Sequence, residues 1–215
     1  LLAIDGTTHK AVGRVHDVGF QPHTSVYSSD GKYMYIISRD GWLTKIDLTT
    51  LEPVVSVLVG KNSRGTAITD NDKYVAIGNY EPGNLVILDA ISMEILKTIP
   101  LTMEKDGKQI ESRAGAVVED GNRIIVALKD GTSVWAVDTD QPGFPVTHKF
   151  SDIGEGKPAL HDGFLTPDGS YYIVASQGSK TAWVLDLATM KPIAEVETGE
   201  TPHTGPGAAW GKYIY

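Results

Sequence analysis

The sequence predicts an all-β protein built from repeated four-stranded antiparallel units, and three observations support this prediction. Five strand-like segments end in an apolar residue followed by aspartate, with spacings of 42, 42, 49 and 48 residues between Asp5, Asp47, Asp89, Asp138 and Asp186. A second set of segments places a polar turn before a β-branched or aromatic strand, with turn residues Asp30, Asn71, Asp120, Asp168 and Trp210. No long segment has the apolar period of a helix.

The first complete unit shows how the elements follow one another. Its strands are expected at about residues 24–28, 32–38, 41–47 and 53–59. An Asp-Gly turn between the first two strands indicates a hairpin, and the polar segment "LTTLEP" joins the last two. Four-stranded units of this length are typical of a β-propeller. We therefore expect about five blades: four complete ones, with parts of further blades before and after them.

The segments between and beyond the units complete the domain prediction. We interpret "TMEKDGKQIES" and "TDQPGFPVTHKFSDIGEGKPA" as insertions between blades that hold at most short helical turns. Both ends of the chain read as strands, so residues 1–215 are expected to form one partial propeller domain, truncated at both ends. Open strand edges favour association, for which a homodimer is the simplest expectation.

Composition excludes several classes of partner. The chain is 41% hydrophobic with a formal net charge of -8, and no run is rich in Lys and Arg. Nucleic acid and anionic membranes are therefore not expected as main partners. No apolar run approaches the roughly 20 residues of a membrane span. Cysteine is absent, so the segment has no disulfide, no thiolate ligand and no site for covalent attachment of haem c. No segment reads as a signal peptide.

One position of the repeat carries nitrogen-containing side chains in every unit. Seven residues before each turn residue stand His23, Arg64, Arg113, His161 and His203. The chain has only six histidines, and three of them fall at this position. In a propeller the chain enters each innermost strand from one face, so these side chains are expected to surround the central channel. Nine residues after the turn residues, a wider ring is expected from Arg39, Tyr80, Lys129 and Gln177.

Such a ring of positive charge favours an anionic ligand, because like charges around an axis repel one another. A planar ligand with several carboxylates fits, since arginine forks onto carboxylates and a neutral imidazole offers a lone pair to a metal. Three histidines could instead bind a bare metal ion, although Arg64 and Arg113 would oppose it. The simplest alternative is a set of solvated loop residues.

At these residues the sequence resembles the haem d1-binding propeller family, which includes cytochrome cd1 nitrite reductase and dihydro-haem d1 dehydrogenase. The matching segments are "SRDGWLTKIDLTTLEPV", "NYEPGNLVILDA", "VALKDG", "LHDG" and "TPHTGPGAAW". The resemblance implies an eight-bladed propeller, haem d1 as the cofactor and a periplasmic location. It also implies that His23 is the axial ligand of the haem iron, that His161 and His203 are catalytic on the distal side, and that Tyr80 lines the cofactor pocket.

The remaining cations complete the expected site. Arg64 and Arg113, with Arg39 and Lys129, are expected to bind the carboxylates of the cofactor. The family usually carries arginines at the positions of Val26 and Pro206, so cofactor placement is expected to differ here.

Three functions follow in order of preference. The first is nitrite reduction to nitric oxide, with electrons from a c-type cytochrome or another donor and protons from His161 and His203. The alternative is a dihydro-haem d1 dehydrogenase, or a carrier, that handles a haem d1 precursor during cofactor biosynthesis. The third, from a different class, is a non-catalytic propeller that serves as a binding platform.

Overall fold

The computed structural model of the chain describes residues 1–105, 107–154, 156–157, 159–205, 207, 209–210 and 213–214. The described residues form 22 strands and no helix, and all paired strands run antiparallel. Within this part of the chain, no helix is long and apolar enough to cross a membrane. The all-β prediction is confirmed.

The strands group into blades that follow chain order. The chain begins with a strand pair and two four-stranded sheets, formed by β1 (Leu2–Ile4), β2 (Ala11–Arg14), β3 (Pro22–Tyr27), β4 (Tyr33–Ser38), β5 (Trp42–Asp47), β6 (Glu52–Leu58), β7 (Asn62–Ile68), β8 (Tyr74–Glu81), β9 (Asn84–Asp89) and β10 (Ile95–Pro100). A hairpin, two further four-stranded sheets and a short pair follow, formed by β11 (Thr102–Lys105), β12 (Lys108–Glu111), β13 (Ala114–Asp120), β14 (Arg123–Leu128), β15 (Val134–Asp138), β16 (Val146–Phe150), β17 (Leu160–Leu165), β18 (Tyr171–Ser176), β19 (Thr181–Asp186), β20 (Lys191–Glu197), β21 (Ala209–Trp210) and β22 (Tyr213–Ile214).

The four-stranded sheets are the blades of a β-propeller. The first strands of successive blades contact one another: β3 touches β7, β7 touches β13, and β13 touches β17. These strands are therefore innermost, and the later strands of each blade lie progressively further from the axis. The predicted propeller of four-stranded antiparallel blades is confirmed.

The hydrophobic core lies between neighbouring blades rather than at one centre. In β9, Leu85 and Ile87 pack towards the third blade, whereas Val86 and Leu88 pack towards the first. All four side chains are almost completely buried. A middle strand of a blade is covered on both faces, which explains why "LVIL" is uninterrupted by polar residues. The outermost strand β20 is exposed along its length.

The repeated aspartates close the turn after each third strand. Asp47 Oδ1 accepts a hydrogen bond from the Thr49 amide at 2.8 Å, and Asp89 Oδ1 accepts one from the Ser92 amide at 2.7 Å. Asp186 repeats the arrangement. Hydrogen bonds to the charged form lower the pKa of all three carboxyls. The sequence repeat is therefore a repeat of turn chemistry.

The two long connections differ from the prediction. The first forms the hairpin β11–β12, which the sequence did not predict. The described residues of both connections hold no helix, which agrees with the expectation of at most short helical turns. The second contains β16, the outermost strand of the third blade, and is not wholly an insertion. Its residues Glu155 and Pro158 lie outside the described residues. Local pattern missed these three strands because short polar segments carry little apolar alternation and gain strand structure by pairing.

Candidate functional site

Irregular pairing at the start of the inner strands exposes two of the predicted side chains. The pairing of β3 with β4, and of β7 with β8, shifts by one residue, and this leaves His23 and Arg64 as bulged residues. A β-bulge removes one residue from the ladder and redirects its side chain. Both side chains therefore stand where the chain enters its blade, as the repeat predicted.

The third blade departs from this register. Asp120 pairs directly with Arg123, so the hairpin between the first two strands is shorter than in the first blade. The bulged position falls on Gly115, and Arg113 precedes β13. The expectation that Arg113 occupies the position equivalent to His23 is wrong, because counting back from the turn assumed hairpins of equal length.

His23 has a defined hydrogen-bonding state. Its Nδ1 lies 3.0 Å from the main-chain carbonyl oxygen of Arg64, which can only accept. Nδ1 therefore carries the proton, and Nε2 keeps a free lone pair. Partial desolvation and the positive charges of Arg39 and Arg64 lower the pKa of His23. The result is a neutral imidazole, which is the form that binds a metal.

Two arginines flank one aromatic ring. The guanidinium carbon of Arg64 lies 4.7 Å from the centroid of Tyr80, and that of Arg113 lies 5.2 Å away. Both distances suit cation–π contacts. Tyr80 therefore contacts an arginine of the second blade and the arginine that precedes the third, and burial raises its pKa.

The cations of the site differ in how far they are neutralised. Arg113 makes a bidentate ion pair with Asp130, in which Nε lies 2.9 Å from Oδ2 and Nη2 lies 2.5 Å from Oδ1. Arg39, Arg64 and Lys129 make no ion pair within the part of the chain that the structure describes. Burial and the nearby charge of Arg113 lower the pKa of Lys129. Asp130 therefore neutralises much of the charge that Arg113 would offer to a carboxylate of the cofactor.

His161 and His203 meet at one carboxylate. His161 Nδ1 lies 2.9 Å from Asp162 Oδ1, and His203 Nδ1 lies 2.5 Å from Asp162 Oδ2. The two rings are 4.6 Å apart between centroids. Burial opposes the charge of Asp162, but the hydrogen bond to His161, the Gly205 amide and the charges of both histidines outweigh it and lower its pKa to about 2.

These three residues also have the spacing of a metal site. Their candidate ligand atoms lie within 4.8 Å of one another. Among the described residues, His23 is not a member of this group. The three-histidine metal site considered from the sequence is therefore not formed.

Electrostatic influence between the groups indicates that they lie near one another. The charges of Arg39, Arg64 and His161 all bear on His23. The charges of Asp130 and Asp162 both bear on Tyr80. The structure thus brings the predicted histidines and cations together where the inner strands begin.

Sequence reasoning missed the two acidic members of the site. Asp130 and Asp162 stand in the segments "VALKDG" and "LHDG", directly after a predicted cation or histidine. An aspartate next to a predicted cation or histidine could have indicated an ion pair, but the sequence comparison considered only the nitrogen-containing side chains at one position of the repeat. Of the two positions where an arginine was missing, Val26 lies in β3, and Pro206 lies outside the described residues.

The fold and the site together define an all-β propeller that gathers histidines and cations without ion pairs where its inner strands begin. Within that class, this chain belongs to the cytochrome D1 heme domain family, whose profile matches residues 1–212.

Relatives of known name cover most of the chain. Protein NirF of Stutzerimonas stutzeri is 35% identical over 188 residues, which are 87% of this chain and 47% of the relative. Dihydro-heme d1 dehydrogenase of Pseudomonas aeruginosa is 34% identical over 194 residues, 88% of this chain and 38% of the relative. Nitrite reductase of Stutzerimonas stutzeri is 30% identical over 223 residues, 97% of this chain and 38% of the relative. The chain spans less than half the length of these relatives.

A solved structure has the same fold. Dihydro-heme d1 dehydrogenase NirN in complex with DHE superposes with a TM-score of 0.81 and 31% identity, covering 96% of this chain and 43% of NirN.

Proposed function

We propose that this propeller binds haem d1 or its dihydro precursor and acts in assembly of the cofactor, as a dihydro-haem d1 dehydrogenase or as a carrier. The family membership and the similarity to dihydro-heme d1 dehydrogenase support the proposal. A periplasmic location and a c-type cytochrome or other electron-transfer partner are part of the same proposal. The observation that carries it is the state of His23, a neutral imidazole with a free Nε2 beside unpaired cations.

The residues present fit a carboxylated tetrapyrrole that holds iron. Arg39, Arg64 and Lys129 make no ion pair within the described residues, and burial and a neighbouring like charge lower the pKa of Arg64 and of Lys129. Carboxylates of a ligand would supply the missing negative charge. His23 Nε2 would ligate the iron, while its Nδ1–H stays on the Arg64 carbonyl and holds the ring in place.

When bound, haem d1 would supply a redox-active iron in a conjugated ring. The other steps belong to this chain. A dehydrogenation removes two protons and two electrons from adjacent saturated carbons of the precursor. A histidine imidazole of the pair at Asp162 would accept a proton, and Asp162 would stabilise the imidazolium that forms. The second proton would pass to solvent, and the electrons would pass to the electron-transfer partner.

Nitrite reduction is the second candidate, and one observation favours it. Two histidines beside one carboxylate form a group that can deliver protons to an anionic substrate. The sequence alone put this function first. Dihydro-heme d1 dehydrogenase is 34% identical to this chain and nitrite reductase is 30% identical, so the comparisons support a role in cofactor assembly better than nitrite reduction.

The test compares the ligands and the reactions directly. The purified protein is titrated with haem d1 and with dihydro-haem d1, and absorption spectra are recorded. Each loaded form is then assayed, the precursor with an electron acceptor for oxidation to haem d1, and haem d1 with nitrite and an artificial reductant for nitric oxide. We expect tight binding and oxidation of the precursor, or binding without turnover if the protein is a carrier.

Variants link the result to the site. His23→Ala should change the spectrum of the bound ligand or abolish binding, because the iron loses its protein ligand. His148→Ala is the matched control, since His148 is exposed on the outer strand β16, and it should behave as wild type. Nitric oxide release without precursor oxidation would promote the second candidate. Failure to bind either tetrapyrrole would reject both.

A further inference from the structure

The main-chain carbonyl of Arg64 accepts two hydrogen bonds from the neighbouring blade. His23 Nδ1 lies 3.0 Å from this oxygen, and Thr24 Oγ1 lies 2.6 Å from it. A carbonyl oxygen can only accept, so the imidazole and the hydroxyl both donate to it. Two adjacent residues of β3 therefore share one acceptor in β7.

Two bulges make this sharing possible. His23 and Arg64 are the bulged residues of β3 and β7. Side chains of consecutive residues in a regular strand point to opposite faces, whereas a bulge redirects one of them. The side chains of His23 and Thr24 can therefore reach the same oxygen. A bulged residue is also left out of the ladder of its own blade, so the main chain of Arg64 is available to partners in the next blade.

A third side chain extends the arrangement. Thr66 Oγ1 lies 3.2 Å from Thr24 Oγ1, and Thr66 is buried. A hydroxyl has one hydrogen, and the hydrogen of Thr24 is used on the Arg64 carbonyl. Thr66 is therefore the donor to Thr24. Hydrogen bonds linked in such a chain polarise one another, so the bond from Thr66 strengthens the donation from Thr24.

The two donors compete for the electron density of the carbonyl oxygen. The 2.6 Å bond from Thr24 is short for a hydroxyl donor, whereas the 3.0 Å bond from His23 has ordinary length. A strong bond from one donor leaves the oxygen a weaker acceptor for the other. A histidine that donates its Nδ1–H strongly becomes more basic at Nε2. The hydroxyl of Thr24 therefore reduces the basicity of His23 at Nε2.

We infer that Thr24 is a positioning residue that shares the Arg64 carbonyl with His23 and thereby limits how strongly His23 Nε2 donates to an iron. The consequence for iron rests on the proposed function. A more basic axial ligand stabilises oxidised iron over reduced iron, so Thr24 keeps the reduction potential of the bound haem higher than His23 and the carbonyl alone would set it.

The first measurement needs no haem. Proton–nitrogen spectra of the ¹⁵N-histidine-labelled protein record the Nδ1–H proton of His23 at about pH 8.5, above the ordinary histidine pKa of about 6.5. His23→Gln identifies this signal by its loss. Thr24→Val removes the hydroxyl and keeps the shape of the side chain, so the bond from His23 should shorten and its proton signal should move downfield. Thr24→Ser keeps a hydroxyl and should behave as wild type.

Two further variants grade the effect and control for it. Thr66→Val removes the donor to Thr24, so the His23 signal should move in the same direction by a smaller amount. Thr44→Val is the matched control, because Thr44 is also buried in the first blade, where its hydroxyl lies 2.9 Å from Ser56 Oγ. That hydroxyl pair joins β5 and β6, so the His23 signal should stay where it is in the wild type.

The second measurement uses the protein loaded with haem d1. Thr24→Val should lower the reduction potential of the bound haem. The iron–histidine stretching band in the Raman spectrum of the reduced form should move to higher frequency, because His23 donates more strongly. Thr24→Ser and Thr44→Val should leave the potential and the band as in the wild type. A loss of packing alone would not move both quantities in these directions.

Each outcome bears on the inference. A His23 signal that moves upfield or stays in place in Thr24→Val would overturn it, as would an unchanged or higher reduction potential. If Thr24→Val does not fold, Thr66→Val decides by the same criteria. Failure to bind haem d1 would reject the proposed function, while the signal of the ligand-free protein would still decide whether the carbonyl is shared in this way. Binding of haem d1 with no change in the variants would keep the proposed function and reject the inference.

Discussion

At the scale of single residues, acidic side chains determine how the site can use its cations and histidines. Asp130 neutralises Arg113, whereas Arg39, Arg64 and Lys129 have no such partner among the described residues. Asp162 contacts both His161 and His203. Under the proposed function, the three cations would bind the anionic groups of the ligand, and the two rings that share one carboxylate would transfer protons.

Asp162 makes stability depend on pH. Its pKa of about 2 lies below the ordinary 3.8, so it contributes stability that is present above about pH 4 and is lost as the pH falls through 2. The shift corresponds to about 2 kcal/mol. Asp162→Asn should lower the free energy of unfolding by about this amount at neutral pH, and the difference should vanish near pH 2. Urea unfolding at several pH values measures it, and a difference independent of pH would contradict the assignment.

At the scale of elements, two Asp-Gly turns have the same sequence, but their glycines are required for different structural reasons. Gly31 in the β3–β4 hairpin has φ +69° and open space where a Cβ atom would stand. Gly41 in the β4–β5 turn has φ +89°, and a Cβ atom there would lie 1.9 Å from the carbonyl oxygen of Gly60. Gly31 is favoured only because its backbone has a positive φ. Gly41 also has a positive φ, and its missing side chain in addition allows the main chain at Gly60 to approach closely.

The two glycines give a matched pair of substitutions. Gly31→Ala should lower the free energy of unfolding by about 1 kcal/mol, the cost of left-handed backbone at a residue with a side chain. Gly41→Ala should cost at least twice as much, because the main chain at Gly60 must also move. Urea unfolding of both variants tests this, and equal losses would mean that the β4–β5 turn relaxes freely.

At the scale of the whole molecule, charge is distributed unevenly. The chain carries a formal net charge of -8, yet unpaired cations gather where the inner strands begin. Under the proposed function, an anionic ligand is repelled by the molecule as a whole and attracted by its site. Partly exposed charges of this kind are screened by salt.

Ligand affinity should therefore depend on ionic strength. Between about 50 and 500 mM salt, the affinity for haem d1 should fall by roughly tenfold, as screening weakens the attraction to Arg39, Arg64 and Lys129. The Arg39→Gln/Lys129→Gln double variant should bind more weakly at low salt and show a smaller salt dependence. Absorbance titrations measure both, and an affinity that does not respond to salt would show that burial of the ring, not charge, governs binding.

The sequence by itself determined the architecture, because that information is local and repeated. Each blade carries its own turn residues, such as Asp47 and Asp89, and its own buried strands, so five similar segments predict the same unit independently. The grouping of His23, Arg64, His161 and His203 followed from the same repeat. The predicted association into a homodimer stays a prediction.

Only the tertiary structure decided which of these side chains are free and which are engaged. Arg113 and Asp130, or His203 and Asp162, are far apart in sequence and meet through the pairing of strands and the stacking of blades. The bulge at Asp162 shifts the register by one residue, and the shorter hairpin of the third blade shifts it by two. A repeat counted along the chain does not reveal either shift. Protonation and charge pairing depend on contacts of a few ångströms, and those contacts exist only once the blades are packed together.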